Sequence, residues 1–373
     1  MATAWADPRE PGETVALRTQ PVGYRAVTVP VSERRLLIIF NPTAGARRRR
    51  RFEAVLAELR RLGCEVTVRP TGDRGDAEQL AASADPNRYD VVVVAGGDGT
   101  VNEVINGLAG ARLPLAIVPL GTANVLAAEI GMATDARTVA RTIALGRPRP
   151  ISVGVANGRR FLLMAGTGFD AHVVQHVDLA LKRRIGKAAY ALQILRQLRR
   201  FAFPEYTVTI DGASWKAASV LVANAHFYGG RFVCAPAADL RTPSLEVCMF
   251  ERRGRLSVIG YALAMLAGRL QKLRSYRIVS ASKVHIDGGS EEPVQGDGDI
   301  IGHLDVTIEV VPEALHLVYP PAAAEAADAA RHGRAALTKA PASDRVAAYS
   351  GARSDESGGQ PPGGGSMSVC PHA

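Results

Sequence analysis

Three glycines, an aspartate and a threonine in one short run carry the strongest chemical signal in this 373-residue sequence. The run consists of Gly96, Gly97, Asp98, Gly99 and Thr100. Glycine lets a backbone approach an anion closely, and the free N–H groups at the start of a following helix point toward that anion. Asp98 adds negative charge, which favours a cation such as Mg²⁺ between it and a phosphate. The pattern predicts a phosphate-binding turn, and a turn with a capping aspartate is the structural alternative.

The segments on both sides of this turn place it in a sheet. Residues 89–95 include four consecutive valines, a run typical of a strand covered on both faces, and apolar residues recur at helical spacing over 101–108. Further strand patterns fall at 36–40, 65–69 and 115–118, and further helical patterns at 52–62 and 76–83. Repeated βαβ units predict a parallel sheet with helices on both faces, which binds ligands at the carboxyl ends of its strands.

The second half of the chain has a different pattern, with short strands separated by turns. Strand signals fall at 151–155, 160–164, 206–210, 217–223, 245–250, 283–286 and 306–311. They predict an antiparallel β-rich domain, interrupted by helical insertions at 179–198 and 256–273. We therefore divide the chain into a flexible leader, an α/β domain, a β-rich domain and a disordered tail rich in Ala, Gly, Ser and Pro. Their ranges are 1–33, 34–150, 151–320 and 321–373.

Five motifs, in this order, resemble those of the diacylglycerol-kinase type of lipid kinase, a family that includes sphingosine and ceramide kinases. They are Asn41–Gly45, the turn at 96–100 with Asn102 and Glu103, Pro119–Asn124, Gly166–Ala171 and Gln295–Asp299. The resemblance extends from about Arg34 to Pro320. It implies a Rossmann-like parallel-sheet domain of the NAD-kinase and diacylglycerol-kinase type, followed by an antiparallel β-sandwich whose last strand returns to the first domain.

The resemblance also implies roles for single residues. Asp297 is the implied catalytic base for the acceptor hydroxyl, and Asp98 and Asp76 are the implied Mg²⁺ ligands. The implied nucleotide-binding residues are Asn41, Gly96, Gly97, Asp98, Gly99, Thr100, Asn102, Glu103, Gly121, Thr122, Asn124 and Asp299. ATP is the implied co-substrate, and the sequence contains neither a P-loop motif nor the HRD and DFG motifs of protein kinases. By itself, the run 296–299 is more typical of a hairpin turn.

Three positions depart from the family pattern. Asp299 stands in place of a glutamate and is expected to weaken a contact to nucleotide or metal. Val125 stands in place of an aspartate. Arg241-Thr242-Pro243 occupies the place of an acidic Asp-Asp-Gly segment, which argues against the second, structural Mg²⁺ site of some members.

Composition limits the partners and the location. A formal net charge of +9 favours an anionic partner, whereas 5% aromatic residues and the lack of a recognisable motif argue against nucleic acid. Basic, partly apolar stretches at 182–200 and 252–277 predict contact with an anionic membrane surface, with helices packed on their own core as the alternative. No apolar run is long enough to span a bilayer, and no secretory signal or disulfide pattern is present. We expect a cytoplasmic protein attached peripherally to the inner face of the membrane, and a homodimer is left open.

Taken together, the residues and the resemblance predict transfer of the γ-phosphoryl group of ATP to a lipid hydroxyl. Diacylglycerol is the expected acceptor and phosphatidic acid the product. A ceramide or sphingoid-base kinase is the nearest alternative, because the acceptor pocket lies in the more variable second domain. An NAD kinase-like enzyme shares the glycine-rich turn, and an inactive nucleotide- or lipid-binding relative also stays open.

Overall fold

The computed structural model describes residues 33–42, 46–176, 194 and 196–321. The expected leader and tail lie almost entirely outside the described residues, as does most of the helical insertion at 179–198. No helix within the described ranges combines the length and the apolar character needed to cross a bilayer.

The first half of the chain alternates strands and helices, because apolar β-branched runs alternate with segments of helical periodicity. The strands are β1 (Arg35–Phe40), β2 (Glu65–Pro70), β3 (Val91–Gly96), β4 (Leu115–Pro119) and β5 (Pro148–Ala156). The helices are α1 (Ala46–Arg61), α2 (Asp76–Ala82), α3 (Asp98–Gly107), α4 (Val125–Glu129) and α5 (Ala136–Leu145).

The second half consists mainly of strands. Its first strands are β6 (Arg159–Phe161), β7 (Met164–Thr167), β8 (Tyr206–Ile210), β9 (Ala213–Ala217), β10 (Ser219–Ala223), β11 (Phe227–Tyr228) and β12 (Phe232–Val233). Its later strands are β13 (Leu245–Phe250), β14 (Tyr276–Ala281), β15 (Lys283–Asp287), β16 (Pro293–Gly296), β17 (Asp299–His303) and β18 (Val306–Val318). The helices with complete bounds are α6 (Phe169–Gln175) and α7 (Arg255–Leu266), and the described residues 196–200 are also helical.

The second helical insertion is shorter than the sequence predicted. The pattern suggested a helix over 256–273, but α7 ends at Leu266 and a short 3₁₀ turn at Leu270–Lys272 follows before β14. The physical reason is Gly268, whose φ of 62° is left-handed and ends the helix.

Parallel strands form one side of a ten-stranded sheet. Its order is β2-β1-β3-β4-β18-β15-β8-β9, with β5 and β6 attached beside β18. Strands β1 to β4 are parallel, and every residue of β3 is buried, as expected for a strand covered on both faces. β18 pairs in parallel with β4 through Leu317 and Leu115, so the last described strand lies in the same sheet as the first.

A six-stranded antiparallel sheet, ordered β14-β13-β10-β7-β16-β17, packs on the antiparallel side of the first sheet. Phe161 and Tyr206 from the larger sheet share a fully buried core with Val222 and Val247 from the smaller one. The expected fold class, a parallel-sheet unit followed by a β-sandwich, is therefore confirmed. One sheet runs through both parts, and β5 crosses the expected boundary at residue 150.

The close packing of α2 on α3 gives a test of this fold. A Cβ on Gly107 would lie 2.1 Å from the carbonyl oxygen of Glu78, so we expect Gly107→Ala to lower the free energy of unfolding by about 1–3 kcal/mol. Gly260→Ala, in the middle of α7 with no neighbouring atom within 4 Å, should raise it by about 0.5–1 kcal/mol. Urea unfolding of both variants measures the difference, and a Gly107→Ala midpoint equal to that of the wild type would contradict the packing.

Candidate functional site

Two turns meet back to back at the carboxyl ends of neighbouring strands. Gly97 follows β3 and Gly121 follows β4. A Cβ on Gly121 would lie 2.6 Å from the Cα of Gly97, and a Cβ on Gly97 would lie 3.2 Å from the Cα of Gly121. Because a side chain on either residue would press on the backbone of the other, the two predicted motifs form one continuous backbone surface.

α3 begins at the first of these turns and presents its N-terminus there. Its N-cap residue is Gly97, which has no side chain to accept from the first N–H groups. Asn41, after β1, donates through Nδ2 to Thr100 Oγ1 at 3.0 Å and so links the neighbouring strand end to this helix. Free N–H groups and the positive end of the helix dipole favour an anion at this place.

The second turn is stabilised by its own polar side chains. Asn124 has a left-handed backbone with φ 48°, and its Nδ2 donates to the carbonyl oxygen of Gly121 at 3.0 Å. Thr122 Oγ1 accepts from a guanidinium nitrogen of Arg48 at 3.1 Å. This contact places an exposed cation of α1 beside the turn, where it adds positive charge.

Asp98 is the first residue of α3, but its side chain caps the N-terminus of α4. Its Oδ2 accepts from the N–H of Val125 at 3.1 Å, and its Oδ1 accepts from the N–H of Leu126 at 3.2 Å. Burial raises the pKa of the Asp98 carboxyl above its usual value, and these donors offset part of the rise. A carboxylate oxygen can accept more than one contact, so the role of Asp98 as a Mg²⁺ ligand stays a prediction. Across the described ranges, no three His, Cys, Asp or Glu side chains are grouped to hold a metal ion.

Asp297 lies in the turn between β16 and β17 with a left-handed φ of 51°. Its Oδ1 accepts from the N–H groups of Leu163 at 2.8 Å and Met164 at 3.0 Å. Its Oδ2 accepts from the N–H of Leu162 at 2.7 Å and from Asn102 Nδ2 at 2.9 Å. Burial raises the pKa of the Asp297 carboxyl, and the four donors offset part of that rise. The run is a hairpin turn, and that turn directs a carboxylate inward.

Asp98 and Asp297 line the same small cleft. Its walls also include Val101, Leu126 and Leu163. The contact from α3 to Asp297 joins residues that are 195 positions apart in the sequence. The fold therefore brings the glycine-rich turn and the predicted base together.

Asp299 approaches the glycine-rich turn from the same hairpin. Its Oδ1 lies 3.2 Å from a guanidinium nitrogen of Arg74, and its Oδ2 would lie 3.8 Å from a Cβ on Gly99. Asp299 is thus close enough to contact a ligand bound at the turn. Arg74 was not singled out by the sequence analysis, because no motif surrounds it.

Asp76 and Glu103, which the sequence analysis assigned to metal and nucleotide, accept hydrogen bonds from the backbone near α2. Asp76 Oδ2 accepts from the N–H groups of Gly72 and Asp73 at 2.8 and 2.9 Å, and these donors lower the pKa of this exposed carboxyl. Glu103 Oε2 accepts from the N–H of Ala77 at 3.2 Å. Their predicted contacts with metal and nucleotide stay predictions.

Family comparisons agree with this geometry. Residues 35–156 match the model of the diacylglycerol kinase catalytic domain. Residues 164–319 match the YegS C-terminal NAD kinase beta sandwich-like domain. The first match contains both back-to-back turns, and the second contains the Asp297 hairpin.

Individual proteins are similar over most of the chain. A diacylglycerol kinase of Bacillus subtilis is 29% identical over 301 residues, which are 79% of this chain and 99% of that protein. A diacylglycerol kinase of Mycobacterium tuberculosis is 30% identical over 274 residues, 71% of this chain and 88% of that protein. A YegS-like lipid kinase of Pseudomonas putida is 28% identical over 271 residues, 72% of this chain and 90% of that protein.

A crystal structure supports the same assignment. That of a diacylglycerol kinase from Bacillus anthracis has a TM-score of 0.63 at 27% identity and covers 78% of this chain and 98% of its own. The fold and the site thus define a lipid kinase, for which ATP is the co-substrate that the kinase family implies. The chain belongs to the family that carries the diacylglycerol kinase catalytic domain.

The contact between the two turns predicts a specific loss of nucleotide binding. We expect Gly121→Ala to weaken ATP binding about tenfold or more, because the added methyl group would separate the turns. Gly289→Ala is the matched control, since its Cβ would have only an ordinary contact of 3.7 Å with Glu292. Isothermal titration calorimetry with ATP measures both affinities. Wild-type affinity in Gly121→Ala would contradict the role of this contact.

Proposed function

We propose that the protein transfers the γ-phosphoryl group of ATP to the hydroxyl group of diacylglycerol and so produces phosphatidic acid. Similar proteins named diacylglycerol kinase, 29% and 30% identical to this chain, support this acceptor. The observation that carries the proposal is the hydrogen bond from Asn102 to Asp297. It joins the helix of the phosphate-binding turn to the proposed base across one cleft.

Asp297 is the proposed general base. As the acceptor oxygen forms its bond to the γ-phosphorus, the carboxylate takes the hydroxyl proton, and the bond from phosphorus to the bridging oxygen breaks. The electron pair of that bond leaves with ADP. A pKa raised by burial suits this role, because the carboxylate is then a stronger base.

Asn102 is the proposed positioning residue. Three of the four donors to Asp297 are backbone N–H groups, and the fourth is the Asn102 amide. The backbone donors are fixed by the segment at 162–164, whereas a side-chain amide can rotate. We therefore assign Asn102 the task of holding Asp297 until the acceptor hydroxyl takes its place.

The phosphate groups of ATP would lie on the surface made by Gly97 and Gly121, at the N-terminus of α3. When bound, Mg²⁺ would neutralise charge on these phosphates, and Asp98 and Asp76 are the carboxylates that we propose for it. Such sites commonly use one or two carboxylates together with phosphates.

The wider setting follows from the same proposal. Residues 34–150 would bind the nucleotide and residues 151–320 the lipid. The lipid acceptor requires access to a membrane, so we propose a cytoplasmic protein that attaches to the inner face of the membrane.

An acceptor panel tests the reaction. Radiolabelled ATP is supplied with diacylglycerol, ceramide, sphingosine or NAD, and we expect label in phosphatidic acid. Asp297→Asn should lower the rate at least about 100-fold, because it removes the base. Asp211→Asn is the matched control, an exposed aspartate in the β8–β9 turn with a similar φ of 48°. Preferred labelling of another acceptor would overturn the proposal, as would full activity of a folded Asp297→Asn protein.

The pH dependence separates the base from a purely structural carboxylate. The base must be unprotonated, so activity should fall on acidification, with a midpoint above the ordinary aspartate value of about 4. Asn102→Ala should move that midpoint to higher pH, because the Asn102 donor lowers the pKa of Asp297. Asn87→Ala is the control, since Asn87 is exposed in the loop before β3. An unchanged acid limb of kcat/KM in Asn102→Ala would contradict the assignment.

A further inference from the structure

α7 exposes a continuous apolar stripe. Leu256, Ile259, Leu263 and Leu266 are separated by three, four and three residues, so they lie on one face of the helix. Their exposed fractions are 85%, 42%, 61% and 64%. Large aliphatic side chains at this spacing are normally the buried face of a helix.

The opposite side of α7 is firmly attached, so the exposure of the stripe is fixed by the fold. Tyr261 is buried and packs edge-on against Phe250, with ring centroids 5.0 Å apart. Its hydroxyl donates to the carbonyl oxygen of Ser275 at 2.9 Å and accepts from the N–H of Arg252 at 3.0 Å. The helix therefore cannot rotate its leucines inward without breaking these contacts.

Other exposed apolar side chains lie near this helix. In the described part of the chain, Phe232 and Ile194 complete the set of large apolar residues with marked exposure. Phe232 belongs to β12, which lies next to α7. Ile194 belongs to the segment ending at Arg200, where Arg255 of α7 donates to the carbonyl oxygen of Arg199 at 2.9 Å. Phe232 and the apolar stripe of α7 are thus neighbours on the surface.

The charge around the stripe has one sign. From residue 252 to residue 277 the sequence contains no aspartate or glutamate. Its cations are Arg252, Arg253, Arg255, Arg269, Lys272, Arg274 and Arg277. Glu251 neutralises Arg277 at 2.7 Å, but the other cations flank both ends of the stripe. An apolar face between cationic ends matches the boundary between acyl chains and anionic headgroups.

A series of packed elements connects this surface to the cleft. α7 lies next to β12, which pairs with β11, and β11 packs on α4, the helix that Asp98 caps. We propose that α7 lies in the surface of an anionic phospholipid bilayer, with Leu256, Ile259, Leu263 and Leu266 inserted among the acyl chains and Phe232 beside them. This inference rests on the proposed function in one respect only: a lipid kinase needs such attachment to bring its cleft to a lipid acceptor.

Vesicle sedimentation tests the inference without any catalytic step. The probes are vesicles of phosphatidylcholine with and without phosphatidylglycerol. We expect the wild type to bind the anionic vesicles and the double variant Leu256→Gln/Leu263→Gln to bind about tenfold or more weakly. Leu256→Phe/Leu263→Phe keeps the stripe apolar and should bind like the wild type. Equal binding by the glutamine variant, with an unchanged thermal unfolding midpoint, would overturn the inference.

Two triple variants, each of which removes three positive charges, test the role of the cations that flank the stripe. Arg269→Gln/Lys272→Gln/Arg274→Gln should reduce the binding to anionic vesicles and its sensitivity to salt. Arg60→Gln/Arg88→Gln/Arg137→Gln removes the same charge from exposed positions on the α/β part and should change neither. Equal losses in both triple variants would show a general charge effect and overturn the assignment to α7.

Two further outcomes separate this inference from its alternatives. If the stripe joined two copies of the chain, size-exclusion chromatography would show a dimer that the glutamine variant dissociates, and the inference would fail. If the wild type phosphorylated no lipid but vesicle binding still depended on Leu256 and Leu263, the proposed function would fail and the inference would stand.

Activity toward a monomeric short-chain diacylglycerol should be unchanged in the glutamine variant, whereas activity toward vesicles should fall.

Discussion

A carboxylate removed from water needs hydrogen-bond donors, and Asp297 obtains them from two distant parts of the chain. Leu162, Leu163 and Met164 supply backbone N–H groups, and Asn102 supplies a side-chain amide from α3. Losing any one of these donors would leave a buried charge less satisfied, so the hairpin and α3 are held in one relative position. The cleft exists because this carboxylate joins its walls.

Asp98 has the matching role on the other wall. By accepting from the N-terminal amides of α4, it links the turn after β3 to the turn after β4, where Gly97 and Gly121 already touch. Acidic side chains thus link the walls, while Arg48 contacts Thr122 of the second turn and Arg74 contacts Asp299. Aspartates would ordinarily repel phosphate groups. Here the carboxylates of Asp98 and Asp297 already accept hydrogen bonds from the protein's own donors, which offset much of their negative charge.

The sequence predicted the elements better than their connections. The valine run of β3 and the glycine-rich turn have short-range patterns that are independent of the rest of the chain, so both were recognised. The capping of α4 by Asp98 and the N–H groups around Asp297 could not be predicted, because side-chain types do not reveal the direction of distant backbone groups. The resemblance implied that the last strand returns to the first domain, but the pairing of β18 with β4 and β5 depends on long-range register that residue patterns do not reveal. The sequence indicated that the 252–277 stretch is basic and apolar, but only the burial of Tyr261 shows which side of α7 faces outward.

The same buried carboxylates make the site costly to fold. Burial raises the pKa of Asp98, Asp170 and Asp297 above the values expected in the unfolded chain. The folded state therefore binds protons more tightly than the unfolded state, and the stability due to these groups is greatest below the unfolded pKa, about 4, and declines as pH rises through the folded values. Ionising these buried carboxyl groups therefore costs stability. A site designed only for stability would use apolar residues at Asp98 and Asp297, so the chemistry of the cleft that both line accounts for acids at these two positions.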